Sequence, residues 1–87
     1  MTQQQWIQTE TRSTDKKHLR LAASSMLGGF EMQDEWTEVA MYEHGIMVRL
    51  RNGNWYTSVE NHDYEGSYES VQGKLWNWAR HEMCPAH

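Results

Sequence analysis

Apolar residues recur at helical spacing in a segment near the start of the chain. Positions i, i+3, i+4, i+7 and i+8 form one apolar stripe, namely Leu19, Ala22, Ala23, Met26 and Leu27. Ser13 or Thr14 can cap the start of this helix. Gly28 and Gly29 follow the stripe, and glycine favours the left-handed conformation at which helices end. We therefore predict a helix that ends near residue 27.

A second helical pattern lies near the end of the chain. Its apolar positions are Tyr68, Val71, Leu75, Trp78 and Ala79. Ser67 or Ser70 can cap this helix, and Pro85 ends it. Gly73 inside the pattern lowers the intrinsic helix propensity, so the helix should depend on tertiary packing.

Between the helices, apolar and polar residues alternate with the period of a β-strand. The turn signals His44-Gly45 and Asn52-Gly53 divide this region into three strands, at 37–43, 46–51 and 54–60. Asn-Gly is typical of a two-residue type I′ turn, which fixes the register of a hairpin. That register places Leu50 opposite Trp55.

The predicted fold is α+β, a three-stranded antiparallel meander with an N-terminal and a C-terminal helix packed on one face (αβββα). The core face is Val39, Met41, Ile46, Val48, Leu50, Trp55, Thr57 and Val59. The opposite face is Ala40, Tyr42, Met47, Arg49, Tyr56 and Ser58. It is left open as an aromatic patch if both helices share the core face; the alternative is that the N-terminal helix or Trp6 covers it. Residues 13–87 are predicted to form a single domain. Residues 1–12 are predicted to be a flexible tail with Trp6 docked, or to place an edge strand at 5–9.

The composition favours a protein of the cytosol. The chain has 87 residues with a mean hydropathy of -0.91, and it contains five tryptophans that can form a small aromatic core. No apolar run reaches the roughly 20 residues of a membrane helix, and the first residues lack the pattern of a signal peptide. Cys84 is the only cysteine, which excludes an internal disulfide and suits a reducing compartment.

Charge is unevenly distributed along the chain. The net charge is -4, and residues 31–48 contain five acidic residues and no lysine or arginine. Residues 60–69 add four acidic residues, again without a base. A broad basic surface for nucleic acid is therefore not expected, because phosphate binding needs clustered Lys and Arg.

Metal binding and catalysis have weak support in the sequence. His81, Cys84 and His87 are spaced like metal ligands, but structural zinc sites usually have four ligands and there is no second cysteine. No nucleophile motif of the Gly-x-Ser-x-Gly kind accompanies the histidines. We predict no enzyme activity, no cofactor and no metal, and the alternative of a small metal-binding or hydrolytic protein would centre on these three residues.

A surface for a protein partner is the better-supported functional hypothesis. Tyrosine and arginine are enriched at interfaces, and carboxylates attract a basic partner. The predicted partner-binding residues are Tyr56, Glu60, Asp63, Tyr64, Glu65, Glu69, Trp76, Tyr42 and Arg49. Most of them lie in a segment, 60–69, that is predicted to be a loop leading into the last helix.

The order of these elements resembles small phage-encoded inhibitors of bacterial defence, anti-CRISPR proteins among them. The resemblance covers the meander at 37–59, the acidic tyrosine-rich segment and the helix at 70–78. It implies a non-catalytic acidic protein in the host cytosol that blocks the basic, nucleic-acid-binding surface of a host protein, such as a CRISPR effector. The alternative is a homodimeric structural or regulatory interaction domain; both monomer and homodimer remain open.

Overall fold

The computed structural model describes residues 1–26 and 35–83, which form an α+β fold around a five-stranded antiparallel sheet in the order β1-β2-β3-β4-β5. The helices are α1 Gln3–Ile7, α2 Lys16–Ser25 and α3 Tyr68–Met83. The strands are β1 Thr11–Ser13, β2 Trp36–Tyr42, β3 Gly45–Leu50, β4 Trp55–Val59 and β5 His62–Gly66. The predicted class is confirmed, but the predicted number of three strands is wrong. Over the described ranges, no helix has both the length and the apolar character needed to cross a bilayer.

The first residues form a helix and an edge strand where a flexible tail was predicted. Thr2 and Gln5 make a reciprocal capping box at the start of α1. Trp6 is fully buried, and β1 pairs with β2 through residues 11–13. The edge strand therefore lies later in the chain than the alternative at 5–9, because α1 carries the Trp6 side chain into the core.

Helix α2 begins one or two residues later than predicted. The carboxylate of Asp15 caps it by accepting a hydrogen bond from the backbone N–H of Lys17 at 2.8 Å. Ser13 instead hydrogen-bonds the Nδ1 of His18 at 2.6 Å. The predicted apolar stripe is buried at Leu19, Ala22, Ala23 and Met26. Its last member, Leu27, and the Gly28-Gly29 stop lie outside the described residues.

The β2–β3 hairpin turns one residue earlier than predicted. Tyr42 pairs with Gly45, so the turn residues are Glu43 and His44, and His44 has a φ of 59°. Gly45 is the first residue of β3 and not a turn residue. A side chain there would crowd the core, because a Cβ would lie 3.0 Å from the side chain of Leu75. The pairing moves by two residues relative to the prediction, which leaves every side chain of these two strands on its predicted face.

The β3–β4 hairpin contradicts the predicted register. The N–H of Gly53 donates to the carbonyl of Leu50 at 3.0 Å, and the N–H of Leu50 donates to the carbonyl of Asn54 at 2.7 Å. Gly53 is the one residue of this turn with positive φ, 94°, whereas a type I′ turn needs two. This is the geometry of a three-residue loop, a type I turn followed by a left-handed glycine. Leu50 and Trp55 consequently do not pair.

The one-residue shift turns the side chains of β4 to the other face of the sheet. Trp55 is now opposite Arg49, and Tyr56 is opposite Val48. Tyr56 therefore lies on the side of the sheet that was predicted to be core, and Trp55 on the side that was predicted to be open.

The helices pack on opposite faces of the sheet, so the prediction that both share one face is wrong. One core cluster joins α2 to the sheet and consists of Leu19, Ala22, Ala23, Met26, Trp36, Val39, Val48 and Leu50. The other joins α1 and α3 to the sheet and consists of Trp6, Ala40, Tyr42, Met47, Trp55, Val71, Leu75 and Ala79. Strands β2 and β3 lie between the two clusters, which is why they carry apolar residues on both sides.

The acidic segment after β4 is a hairpin strand and not a loop. Glu60 and Asn61 have φ values of 49° and 67°, so the type I′ turn of this sheet is here. β5 pairs with β4 from His62, opposite Val59, to Gly66, opposite Trp55. Helix α3 follows, and Ser67 caps it by accepting the backbone N–H of Ser70 at 3.2 Å, as predicted. Pro85 lies outside the described residues.

Candidate protein-binding face

Among residues 1–26 and 35–83, helix α2 covers only part of its side of the sheet. Helix α2 packs on β2 and β3, whereas α3 packs on β3, β4 and β5 from the other side. On the α2 side, β4 and β5 present Tyr56, Ser58, Asp63 and Glu65, as the register requires. We call these four residues the acidic sheet face. Asp63 and Glu65 are exposed, and Tyr56 and Ser58 are half-buried.

Hydrogen bonds across the strands hold the acidic sheet face in place. The hydroxyl of Tyr56 donates to Oδ1 of Asp63 at 3.0 Å, and the amide of Asn54 donates to Oε2 of Glu65 at 3.0 Å. Burial raises the pKa of Tyr56, and the Asp63 carboxylate raises it further, so this phenol stays neutral. Within the described residues, neither Asp63 nor Glu65 forms an ion pair. Both carboxylates therefore present unpaired negative charge to solvent.

The turn between β4 and β5 extends this negative surface. Glu60 is exposed there. A cleft borders the face at this end, and it is lined in part by Met26, Ile46, Ser58, Glu60 and Trp78. The surface thus combines carboxylates with an apolar depression, a combination that suits a protein partner with both basic and apolar side chains.

The other predicted partner-binding residues lie elsewhere. Tyr64 is on the α3 side of β5, where the Lys74 ammonium lies 5.7 Å from its ring centroid. Trp76 packs on Trp6, with ring centroids 5.4 Å apart. Arg49 is exposed on the α3 side of β3, where the strand register places it opposite Glu38 of β2.

Glu69 is exposed in the first turn of α3, so the predicted partner-binding residues do not form one surface.

The face of the sheet that was predicted to be open is mostly core. Tyr42, Ala40 and Met47 are buried beneath α1 and α3. The ring of Tyr42 stacks on that of Trp6, with centroids 4.2 Å apart and planes 18° apart. Tyr42 is therefore unavailable to a partner, and the prediction that it lies on an open face is corrected.

A polar cluster that the sequence did not predict ties the N-terminal segment to the core. Its members are Glu10, Arg12, Tyr42, Tyr68 and Gln72. The Glu10 carboxylate accepts hydrogen bonds from both tyrosine hydroxyls and pairs with Nε of Arg12 at 3.2 Å. Gln72 donates to the same two hydroxyls at 3.0 and 3.1 Å.

Electrostatics keep Glu10 charged within that cluster. Burial alone would raise the pKa of Glu10, but the hydrogen bonds from Tyr42 and Tyr68 and the charge of Arg12 lower it overall. The Arg12 guanidinium also lies 4.9 Å from the ring centroid of Trp55 and 4.7 Å from that of Tyr68. These internal contacts occupy the Glu10 carboxylate, which lies between α1 and β1 in the chain. The cluster is therefore suited to holding α1 and β1 in place.

Only one of the three residues of the metal hypothesis lies in the described part of the chain. His81 is exposed on α3, and Cys84 and His87 lie outside the described residues. Among the residues that are described, no group of three or more His, Cys, Asp or Glu side chains could hold a metal ion. The absence of a metal site at this end stays a prediction.

Comparison of the chain with protein-family models, with curated proteins and with solved structures gave no significant match.

Proposed function

We propose that this chain is a small, non-catalytic binding protein whose acidic sheet face engages a basic surface of a protein partner. The observation that carries the proposal is the pair of exposed carboxylates on β5, Asp63 and Glu65. They are two residues apart on one strand, so their side chains lie on the same side of the sheet, and the β4–β5 hairpin holds their backbone. Binding would therefore require little ordering of this backbone.

The spacing of these charges suggests what they bind. Carboxylates about 7 Å apart along a strand are comparable in separation to successive phosphates of a nucleic acid chain. They would compete with phosphates for lysine and arginine side chains. The resemblance to phage-encoded inhibitors points the same way, toward a nucleic-acid-binding surface of a host defence protein such as a CRISPR effector.

A homodimer built on β5 is the less favoured alternative. If two copies of β5 paired antiparallel about Tyr64, Asp63 of one copy would lie opposite Glu65 of the other. Like charges directly opposite each other destabilise a strand pair. The charge pattern therefore favours a different, basic partner over a second copy of this chain.

The test is quantitative capture from bacterial lysate at about 50 and about 500 mM salt, where screening differs strongly. The variant Asp63→Asn/Glu65→Gln removes both charges at nearly constant shape. We expect it to bind the captured partner about tenfold or more weakly at low salt, because it loses two interfacial charge contacts. The wild type should itself lose affinity at high salt.

A matched control separates this site from net charge. The variant Glu69→Gln/Glu82→Gln also removes two exposed carboxylates, but from helix α3, which packs on the other side of the sheet. It should keep wild-type affinity. Equal losses in both variants, or capture that is indifferent to salt, would contradict the proposal.

A further inference from the structure

Strand β5 forms one edge of the sheet, and the register shows which of its backbone groups face outward. In a two-residue hairpin the residues flanking the turn form a hydrogen-bonded pair, and such pairs alternate with non-hydrogen-bonded ones. Val59 and His62 flank the turn, so Thr57 and Tyr64 are the next bonded pair. The N–H and C=O groups of Asp63 and Glu65 consequently point away from β4.

That outer edge is regular. The pairing of β4 with β5 has no bulge over its five residue pairs, and β5 contains no proline. Within ranges 1–26 and 35–83, no strand pairs with the outer side of β5. Short edges, charged side chains, prolines and bulges commonly block strand addition. Strand β5 has no proline and no bulge, and its charged residues, Asp63 and Glu65, are both negative, so they oppose an acidic strand and attract a basic one.

The same two residues therefore present two kinds of group. Their backbone offers hydrogen bonds in the plane of the sheet, and their side chains offer negative charge on the acidic sheet face. Because strand residues i and i+2 share a face, an added strand with basic residues at alternate positions would match both features at once. A residue between those positions would lie beside the half-buried ring of Tyr64.

We propose that the partner binds by strand addition: an extended segment of the partner protein pairs with the outer edge of β5 and places Lys or Arg at alternate positions beside Asp63 and Glu65. This inference rests on the proposed function and adds the mode of recognition. A second copy of β5 is disfavoured as the added strand by the opposition of carboxylates described above.

Two synthetic heptapeptides of the same composition test the proposal with the full chain. The first, Thr-Lys-Val-Lys-Val-Lys-Thr, has the alternating pattern, and the second, Lys-Lys-Lys-Val-Val-Thr-Thr, groups the lysines. We expect the alternating peptide to bind about tenfold more tightly in an NMR titration, since only it combines backbone pairing with charge contacts. Hydrogen exchange of the Asp63 and Glu65 amides should slow about tenfold or more in the complex. The Tyr64 amide, which already faces β4, should change little.

Two substitutions at one position separate backbone from charge. Glu65→Gln removes the charge and should weaken the alternating peptide about threefold. Glu65→Pro also removes the outward N–H and should weaken it about tenfold further, while circular dichroism checks that the fold is kept. The exchange measurement on the wild type decides the question even if the proline variant does not fold.

Equal, salt-dependent binding of both peptides without protection of the two amides would overturn strand addition and leave the proposed function standing. No binding of either peptide at about 1 mM, the range of very weak affinity, would also overturn strand addition. The proposed function is decided separately, by capture of a partner with the charge-neutral variant.

Discussion

Replacing Trp6 with alanine should lower the free energy of unfolding by about 3–5 kcal/mol, the usual cost of removing a buried tryptophan. The side chain is fully buried and packs between Tyr42 and Trp76. Its indole N–H also donates to the carbonyl of Glu43 at 2.8 Å, which ties α1 to the β2–β3 turn. The variant would lose the anchor of the N-terminal segment as well as apolar contact area.

Urea unfolding followed by circular dichroism measures this loss. Gln4→Ala is the matched control, because Gln4 is exposed on the same helix and should change stability by less than about 0.5 kcal/mol. A loss below about 1 kcal/mol for Trp6→Ala would mean that the N-terminal segment is dispensable to the core, as expected of a flexible tail.

Met47→Lys should have the larger effect and prevent folding. Met47 is fully buried on the side of the sheet that α3 covers. An unpaired ammonium there costs several kcal/mol, which is comparable to the whole stability of about 5–15 kcal/mol typical of small proteins. With both helices on the other face, as predicted from the sequence, Met47 would be exposed and the same lysine would be harmless.

The measurement is the dispersion of the amide NMR spectrum, which collapses when a protein unfolds. Arg49→Lys is the control, because it places a lysine at an exposed position of the same strand. A well-dispersed, cooperatively unfolding Met47→Lys variant would show that α3 does not cover this face of the sheet.

The helices could be predicted because their apolar stripes are long and regular. The stripe from Leu19 to Met26 marks the buried side of α2, and Val71, Leu75 and Ala79 mark that of α3. The face on which each helix packs could not be predicted, because β2 and β3 carry apolar residues on both sides. The alternation predicts one core face and one open aromatic face, whereas both faces of β2 and β3 contribute to the core.

The turns set the register of β4 and β5, and the sequence signals do not predict them correctly. Asn52-Gly53 was expected to form a type I′ turn, but the chain forms a three-residue loop there and uses Glu60-Asn61 for the type I′ turn. The strand that follows, β5, has no aliphatic residue and therefore no hydrophobic alternation to detect. The composition identifies the acidic segment, but it does not predict which side of the sheet each residue faces. In the β4–β5 hairpin, Tyr64 lies on one side of the sheet and Asp63 and Glu65 lie on the other.

The polar cluster around Glu10 left no signal in the sequence. Glu10 and Tyr68 are 58 residues apart, and neither occurs in a recognisable motif. Only the fold brings them together, because α1 and α3 pack on the same side of the sheet. A charged residue in a polar N-terminal segment is usually solvated, so the sequence does not predict that Glu10 is partly buried.

The position of the acidic sheet face depends on the three-residue turn after Leu50. Tyr56 shares a side with Asp63 and Glu65 through the β4–β5 pairing, and only the three-residue turn places that side on the α2 side of the sheet. The most direct test is the pattern of Hα–Hα nuclear Overhauser effects, which are strongest in non-hydrogen-bonded pairs, where antiparallel strands lie closest. The register found here predicts a strong effect between Arg49 and Trp55. A strong effect between Leu50 and Trp55 instead would place Tyr56 on the α3 side and contradict the account.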